Sequence, residues 1–176
     1  MKLTNTAGLA ALVLVCPLAA TAVYGSGNYD YDVHYNDTPD ASGKVASSGY
    51  EETVTGEHFD IYIGHASGSG EKVKALESSN NVGILCAGSE GYRIYGGYAE
   101  TAGDADVEAC FNKITVEEGS EGGSVTTAGW ARAHNNASSS QGSATASGNE
   151  CYITNQASSL NYGGFRGGVS LADTGD

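Results

Sequence analysis

The chain has 176 residues, 26 of them Gly, with 8 Lys and Arg against 21 Asp and Glu and a formal charge of −13. That field repels nucleic acid and anionic lipid; it favours solubility and a cationic partner, including a cell-wall polymer with cationic groups. Nothing beyond residue 22 approaches the ~20 apolar residues of a membrane helix, so no membrane anchor is expected, and the length suits one domain with its own core.

The first element is a leader. Lys2 supplies positive charge, Leu9 to Val15 is a short apolar run, Pro17 breaks it, and Ala20-Thr21-Ala22 is an A-x-A cleavage site. Residues 1–22 therefore read as a secretory signal peptide, and the expected location is extracellular. Cys16 follows Val15, where a lipoprotein signal takes a small residue. Cleavage would leave a charge of −14 and three cysteines, Cys86, Cys110 and Cys151. Three thiols cannot all pair within one chain, so an oxidising compartment implies one bridge and one odd thiol. Cys86–Cys110 is the preferred bridge, closing a loop of about two dozen residues for roughly 3 kcal/mol. Cys110–Cys151 competes with it. With the preferred bridge, Cys151 is left over, unpaired or joining two chains in a disulfide-linked dimer. No Cys/His spacing resembles a zinc site.

Residues 23–56 form a Tyr/Asp/Gly-rich arm, expected to be loosely ordered and to add an edge strand through the alternation of Val23 to Tyr35. Asp30, Asp32, Asp37 and Asp40 offer oxygen ligands to a hard cation but lack the spaced Gly and Glu of an EF-hand, so neither metal nor cofactor is expected. The domain proper is placed at 57–156. Glu57 to His65 predicts a strand, with Phe59, Ile61 and Ile63 on one face and Asp60 and Tyr62 on the other. Residues 71–77 predict a short helix carrying Val73 and Leu76. Val82 to Ala87 predicts a buried strand, and Tyr92 to Tyr98 another, with Gly96 and Gly97 marking a bulge or bend. Asp104 predicts the N-cap of a second helix, whose stripe is Val107, Cys110, Phe111 and Ile114. Strands at 124–133, with Trp130, and 151–154 flank an exposed loop at 135–148. Residues 157–176 make a Gly-rich tail. No internal repeat is read. The order β-α-β-β-α-β predicts an α+β fold, a small two-layer sandwich with two helices on one face of a mainly antiparallel sheet.

Candidate chemistry is sparse. His58, Asp60 and Tyr62 share a strand face and offer an acid–base pair. His65, at odd parity, falls on the opposite face of a regular strand, which argues against a two-histidine metal site. Ser67 and Ser69 precede the first predicted helix without the Gly-x-Ser-x-Gly register of a nucleophile elbow. Asn36 and Asn136 begin N-glycosylation sequons.

The signal peptide, Gly83-Ile84-Leu85-Cys86-Ala87-Gly88-Ser89, the cysteine of Ala105-Asp106-Val107-Glu108-Ala109-Cys110, and then Trp130 and Cys151-Tyr152 together resemble small secreted effectors and killer-toxin-like proteins of filamentous fungi. The resemblance spans 82–156. It implies a sandwich without catalytic residues that acts on a host or competitor cell. Tyr31-Asp32-Val33-His34-Tyr35-Asn36 is similar to the Tyr-x-His-x-Tyr region of guanyl-specific ribonucleases, although the Glu, Arg and second His of that chemistry find no matching positions. The reading is a secreted, non-enzymatic interaction protein, effector- or toxin-like. The alternatives are a wall-associated structural glycoprotein, or a small hydrolase or ribonuclease using His58 and Asp60, or His34.

Overall fold

The computed structural model describes residues 31–32, 34–103, 105–135, 142–154 and 164–174. The predicted leader, Asp30, Asn136 and the first part of the tail lie outside these residues. Among the described residues there is no helix; every strand pairing is parallel. The chain winds as a solenoid of four rungs, each contributing one strand to each of three sheets, so the α+β sandwich is overturned.

Two short strands, β1 (Tyr31–Asp32) and β2 (Tyr35–Asn36), precede the first rung. That rung comprises β3 (Lys44–Ala46), β4 (Glu51–Val54) and β5 (Glu57–Gly68). The second comprises β6 (Ala75–Glu77), β7 (Val82–Leu85) and β8 (Glu90–Thr101). The third comprises β9 (Asp106–Glu108), β10 (Lys113–Val116) and β11 (Glu121–Asn135). The fourth comprises β12 (Ala144–Thr145), β13 (Glu150–Ile153) and β14 (Phe165–Thr174). A long sheet runs β5-β8-β11-β14, with β1 and β2 on the outer edge of β5; two short sheets run β3-β6-β9-β12 and β4-β7-β10-β13. The solenoid thus takes in much of the predicted arm and part of the predicted tail.

Both predicted helices are overturned. Residues 71–77 hold β6, and 105–118 hold β9, a corner and β10; Asp104, the predicted N-cap, lies outside the described residues. Three strand residues, a corner of four and a second strand set Val107 and Ile114 seven apart, both pointing inward from different sheets. That spacing mimics two helical turns. Phe111, assigned to the helix's apolar stripe, is instead an exposed corner residue.

The corner between the short sheets repeats on every rung. Gly49, Asn80, Phe111 and Gly148 occupy equivalent positions and all have positive φ. The next residue starts an asparagine ladder. The Oδ1 atoms of Asn81, Asn112 and Asn149 accept from the backbone N–H of Tyr50, Asn81 and Asn112 at 3.2, 2.9 and 2.8 Å. Their Nδ2 atoms donate to the carbonyls of Ser47, Ser78 and Ala109. Backbone groups that turn away from the strand ladder at the corner, and would be left buried and unpaired, are thereby satisfied.

The asparagines intrude between two apolar clusters, one around Val45, Leu76 and Val107, the other around Ile61, Ile63, Leu85, Ile94 and Ile114. Opposite them the long sheet carries Gly64, Gly97 and Gly129 in register. A Cβ on Gly97 would collide with the Ser78 carbonyl and the Asn112 amide.

Asn112→Ala orphans a buried N–H and a buried C=O, and is expected to cost about 3 kcal/mol in urea unfolding. Gly97→Ala should cost at least about 2 kcal/mol by overpacking, whereas Gly164→Ala, whose Cβ meets nothing, should be near neutral. Phe111→Gly relieves a left-handed backbone and should add about 1 kcal/mol; a loss would show that the ring contributes more than the conformation costs.

Candidate functional site on the outer face of the long sheet

In-register stacking aligns outward side chains in rows. Asp60 pairs with Arg93; Tyr62 with Tyr95; His65 with Tyr98 and Trp130; Ser67 with Glu100 and Arg132. The rings of Tyr62 and Tyr95 lie 5.2 Å apart and nearly parallel, as do Tyr98 and Trp130 at 6.3 Å. Tyr98 meets His65 edge-on at 5.0 Å. Such pairs add about 0.5–1.5 kcal/mol each beyond the area they bury. Burial raises the phenol pKa values of Tyr62, Tyr95 and Tyr98 above the ordinary value, and the Asp60 and Glu100 carboxylates push Tyr62 and Tyr98 further up.

Asp60 is buried, accepts from Arg93 Nε at 2.6 Å and from Nη2, and takes the Tyr62 hydroxyl at 3.2 Å. The His58 Nε2 atom sits 3.0 Å from the Thr55 carbonyl, and its ring lies against Tyr31. The expected His58–Asp60 pair is therefore not assembled: each group is committed elsewhere. His34 is 2.7 Å from Glu52 and stacks on Tyr50 at 3.6 Å.

The parity expected of His65 fails. Ile63 and Gly64 both face inward, so the strand bends there and His65 returns to the outer face, stacked on Tyr62 at 4.8 Å. The same bend recurs at Gly96-Gly97, where sequence placed a bulge or bend. His65 Nδ1 lies 2.7 Å from Asp32 of β1. Ser67, next along this face, shares a 2.9 Å hydrogen bond with the Tyr35 hydroxyl. Tyr35, His65 and Ser67 line a groove of about 490 Å³ with Asp37 and Glu100 on its walls and the ring of Tyr35, 51% exposed, at its rim. Among the described residues no Lys or Arg lines it; Arg132 approaches Glu100 to 3.6 Å. The groove offers carboxylate and hydroxyl oxygens beside an aromatic ring, the chemistry of a polyhydroxylated or cationic ligand.

The other expected sites take structural roles. Asp40 caps a turn by accepting from the Ser42 and Lys44 amides, and Asp32 holds His65, so the aspartates do not converge. Among the described residues no His/Cys/Asp/Glu cluster could hold a metal. Asn36 donates its Nδ2 to the Ala46 carbonyl at 2.8 Å, which commits one of the two hydrogens on the nitrogen a glycan would take. Cys86, Cys110 and Cys151 form no disulfide. Cys86 follows β7 while Cys110 precedes β10, its in-register neighbour, so a strand length of roughly 10 Å separates them, beyond disulfide reach. Cys110 belongs instead to a second ladder. Ser48 Oγ accepts from Ser79 N, Ser79 Oγ accepts from Cys110 N, and Ser147 Oγ donates to Cys110 Sγ. Burial pushes the Cys151 thiol up to about 11.

Sequence reasoning placed Tyr35 only within the aromatic arm and missed Tyr98, Glu100 and Arg132. A signal was present: Gly64-His65-Ala66, Gly97-Tyr98-Ala99 and Gly129-Trp130-Ala131 repeat one glycine-aromatic-alanine triplet at rung spacing. No family model, curated protein or solved structure matches the chain.

Cys110→Ser restores a hydroxyl to its ladder and should change stability by less than about 1 kcal/mol; loss of about 3 kcal/mol, as for a removed bridge, would contradict the thiol assignment. In the unfolded chain the tyrosines ionise near their ordinary value of 10.0, while in the folded state Tyr62, Tyr95 and Tyr98 ionise higher. Their contribution is complete below pH 10 and is lost as pH rises beyond it. Absorbance at 295 nm should therefore show a late group of phenols that titrates together with loss of β circular dichroism.

Proposed function

We propose that this chain is a secreted, non-enzymatic recognition protein, effector- or toxin-like, that works at the surface of a host or competitor cell through the outer face of its long sheet. The ligand class that fits is a cationic, polyhydroxylated wall polymer, an amino-sugar chain. The observation that carries this reading is the groove beside Tyr35, with Asp37 and Glu100 on its walls and, among the described residues, no Lys or Arg lining it, on a protein of charge −13. Carboxylates can pair with ammonium groups, Ser67 and the tyrosine hydroxyl can bond sugar hydroxyls, and an exposed ring can carry a sugar face. A binding role also suits the hydrogen bonding, because Ser67 Oγ is engaged by Tyr35 rather than by the Asp32-held imidazole.

Calorimetric titration with glucosamine hexamer and its fully N-acetylated counterpart tests this. The charged oligomer should bind more tightly, with affinity falling as salt rises. Glu100→Gln and Tyr35→Ala should each weaken it by about tenfold, roughly 1.4 kcal/mol. Equal affinity for both oligomers, or binding to neither, overturns the ligand class. Purified protein that neither binds nor alters any host or competitor cell overturns the wider reading.

A further inference from the structure

The two ends of the solenoid are finished differently. At the first rung, β1 and β2 cover the outer edge of β5. Tyr31 and Tyr50 pack on the second apolar cluster. Glu52 sits in the inward row of its sheet, in register with Gly83, Ile114 and Cys151, and is held by His34. A strand, an aromatic lid and an inward charge are the devices by which proteins blunt a sheet edge.

The fourth rung carries no such device among the described residues, where no strand pairs with the outer edges of β12, β13 or β14. Its core is open. Val54, Leu85, Val116 and Ile153 form one inward row, and their exposures are 2%, 2%, 0% and 43%. The inward position that is buried on every other rung meets solvent here, beside a strand edge that no described strand pairs. Repeat arrays need a cap at such a place.

We infer that this end is the interface of a two-fold dimer, in which a second copy of the chain sets its own fourth rung edge-to-edge against this one. Charge favours that arrangement over stacking of unlike ends. Strands β12–β14 carry Arg166 against Glu150 and Asp173, a formal −1, whereas β3–β5 carry Lys44 against Glu51, Glu52, Glu57 and Asp60, a formal −3. On a chain of −13, like ends meet with least repulsion at the fourth rung. β1 and β2 along the outer edge of β5 also obstruct the head-to-tail contact that would run on into a filament. The dimer needs no disulfide and leaves the groove beside Tyr35 outside the contact, so it stands or falls independently of the proposed ligand.

Sedimentation equilibrium of the full secreted chain should give a dimer that dissociates on dilution. Ile153→Lys should make it monomeric, with dissociation strengthened at least a hundredfold, while Glu52→Gln at the capped end leaves the mass unchanged. Amide hydrogen exchange in the unaltered protein provides a second readout that does not depend on the variant folding: protection in β13 and β14 should rise with protein concentration, and protection in β3 and β4 should not. A monomer at every concentration overturns the proposal, including one whose β13 and β14 amides are protected by the chain's own residues. An open-ended series of masses overturns it in favour of head-to-tail stacking.

Discussion

Each rung's backbone can be satisfied only by the rung beside it. In-register parallel pairing does this along the strands, but at the corners the chain turns out of the ladder and its N–H and C=O groups would be buried without partners. Asn81, Asn112 and Asn149 take over there, each amide bonding one backbone donor and one carbonyl of the preceding rung. One ladder away the direction reverses, the Ser48 and Ser79 hydroxyl oxygens accepting from the N–H of Ser79 and Cys110 on the following rung. Because a side chain that replaces a backbone partner tolerates no slip, these corners hold the rungs at one register.

That register builds the outer face. Stacked rungs align equivalent residues, so Asp60 meets Arg93, Tyr62 meets Tyr95, and Tyr98 lies between His65 and Trp130. The asparagine ladder also reaches this face indirectly. Its amides occupy the space opposite the long sheet and admit only Gly64, Gly97 and Gly129 there. The two consecutive inward residues at that point bend each long strand and reset its alternation, which brings His65 and Ser67 to the same side as Tyr62. The groove beside Tyr35 is thus a consequence of buried amides on the far side of the sheet.

The arm before the first rung completes the groove. Tyr35 contributes from β2 beside Ser67 of β5, while Asp32 of β1 holds the groove's His65 from behind the lining. The same arm closes the first-rung end through Tyr31 and His34. The cover of the first-rung end and the groove of the proposed recognition site therefore share one segment.

The strands read at 57–65, 82–87 and 92–98, observed at 57–68, 82–85 and 90–101, were legible because a strand half-buried against a core shows its alternation or its apolar run locally. The bend at Gly96 and Gly97 was legible from the paired glycines themselves. Composition, charge and the apolar pattern of residues 1–22 are likewise properties of the chain alone. The repeat was not read, since its markers are few: a glycine-aromatic-alanine triplet, an asparagine per corner, and a Gly-Ser-Glu turn at 88–90 and 119–121. What only the tertiary structure decided is which sheet each short strand joins. Three residues of β9 and four of β10 have no helical or extended preference strong enough to declare themselves, and an inward residue every seven positions satisfies a helix as well as a corner. Hydrogen bonds to rungs about thirty residues away settle the choice, and nothing within a local window of sequence contains them.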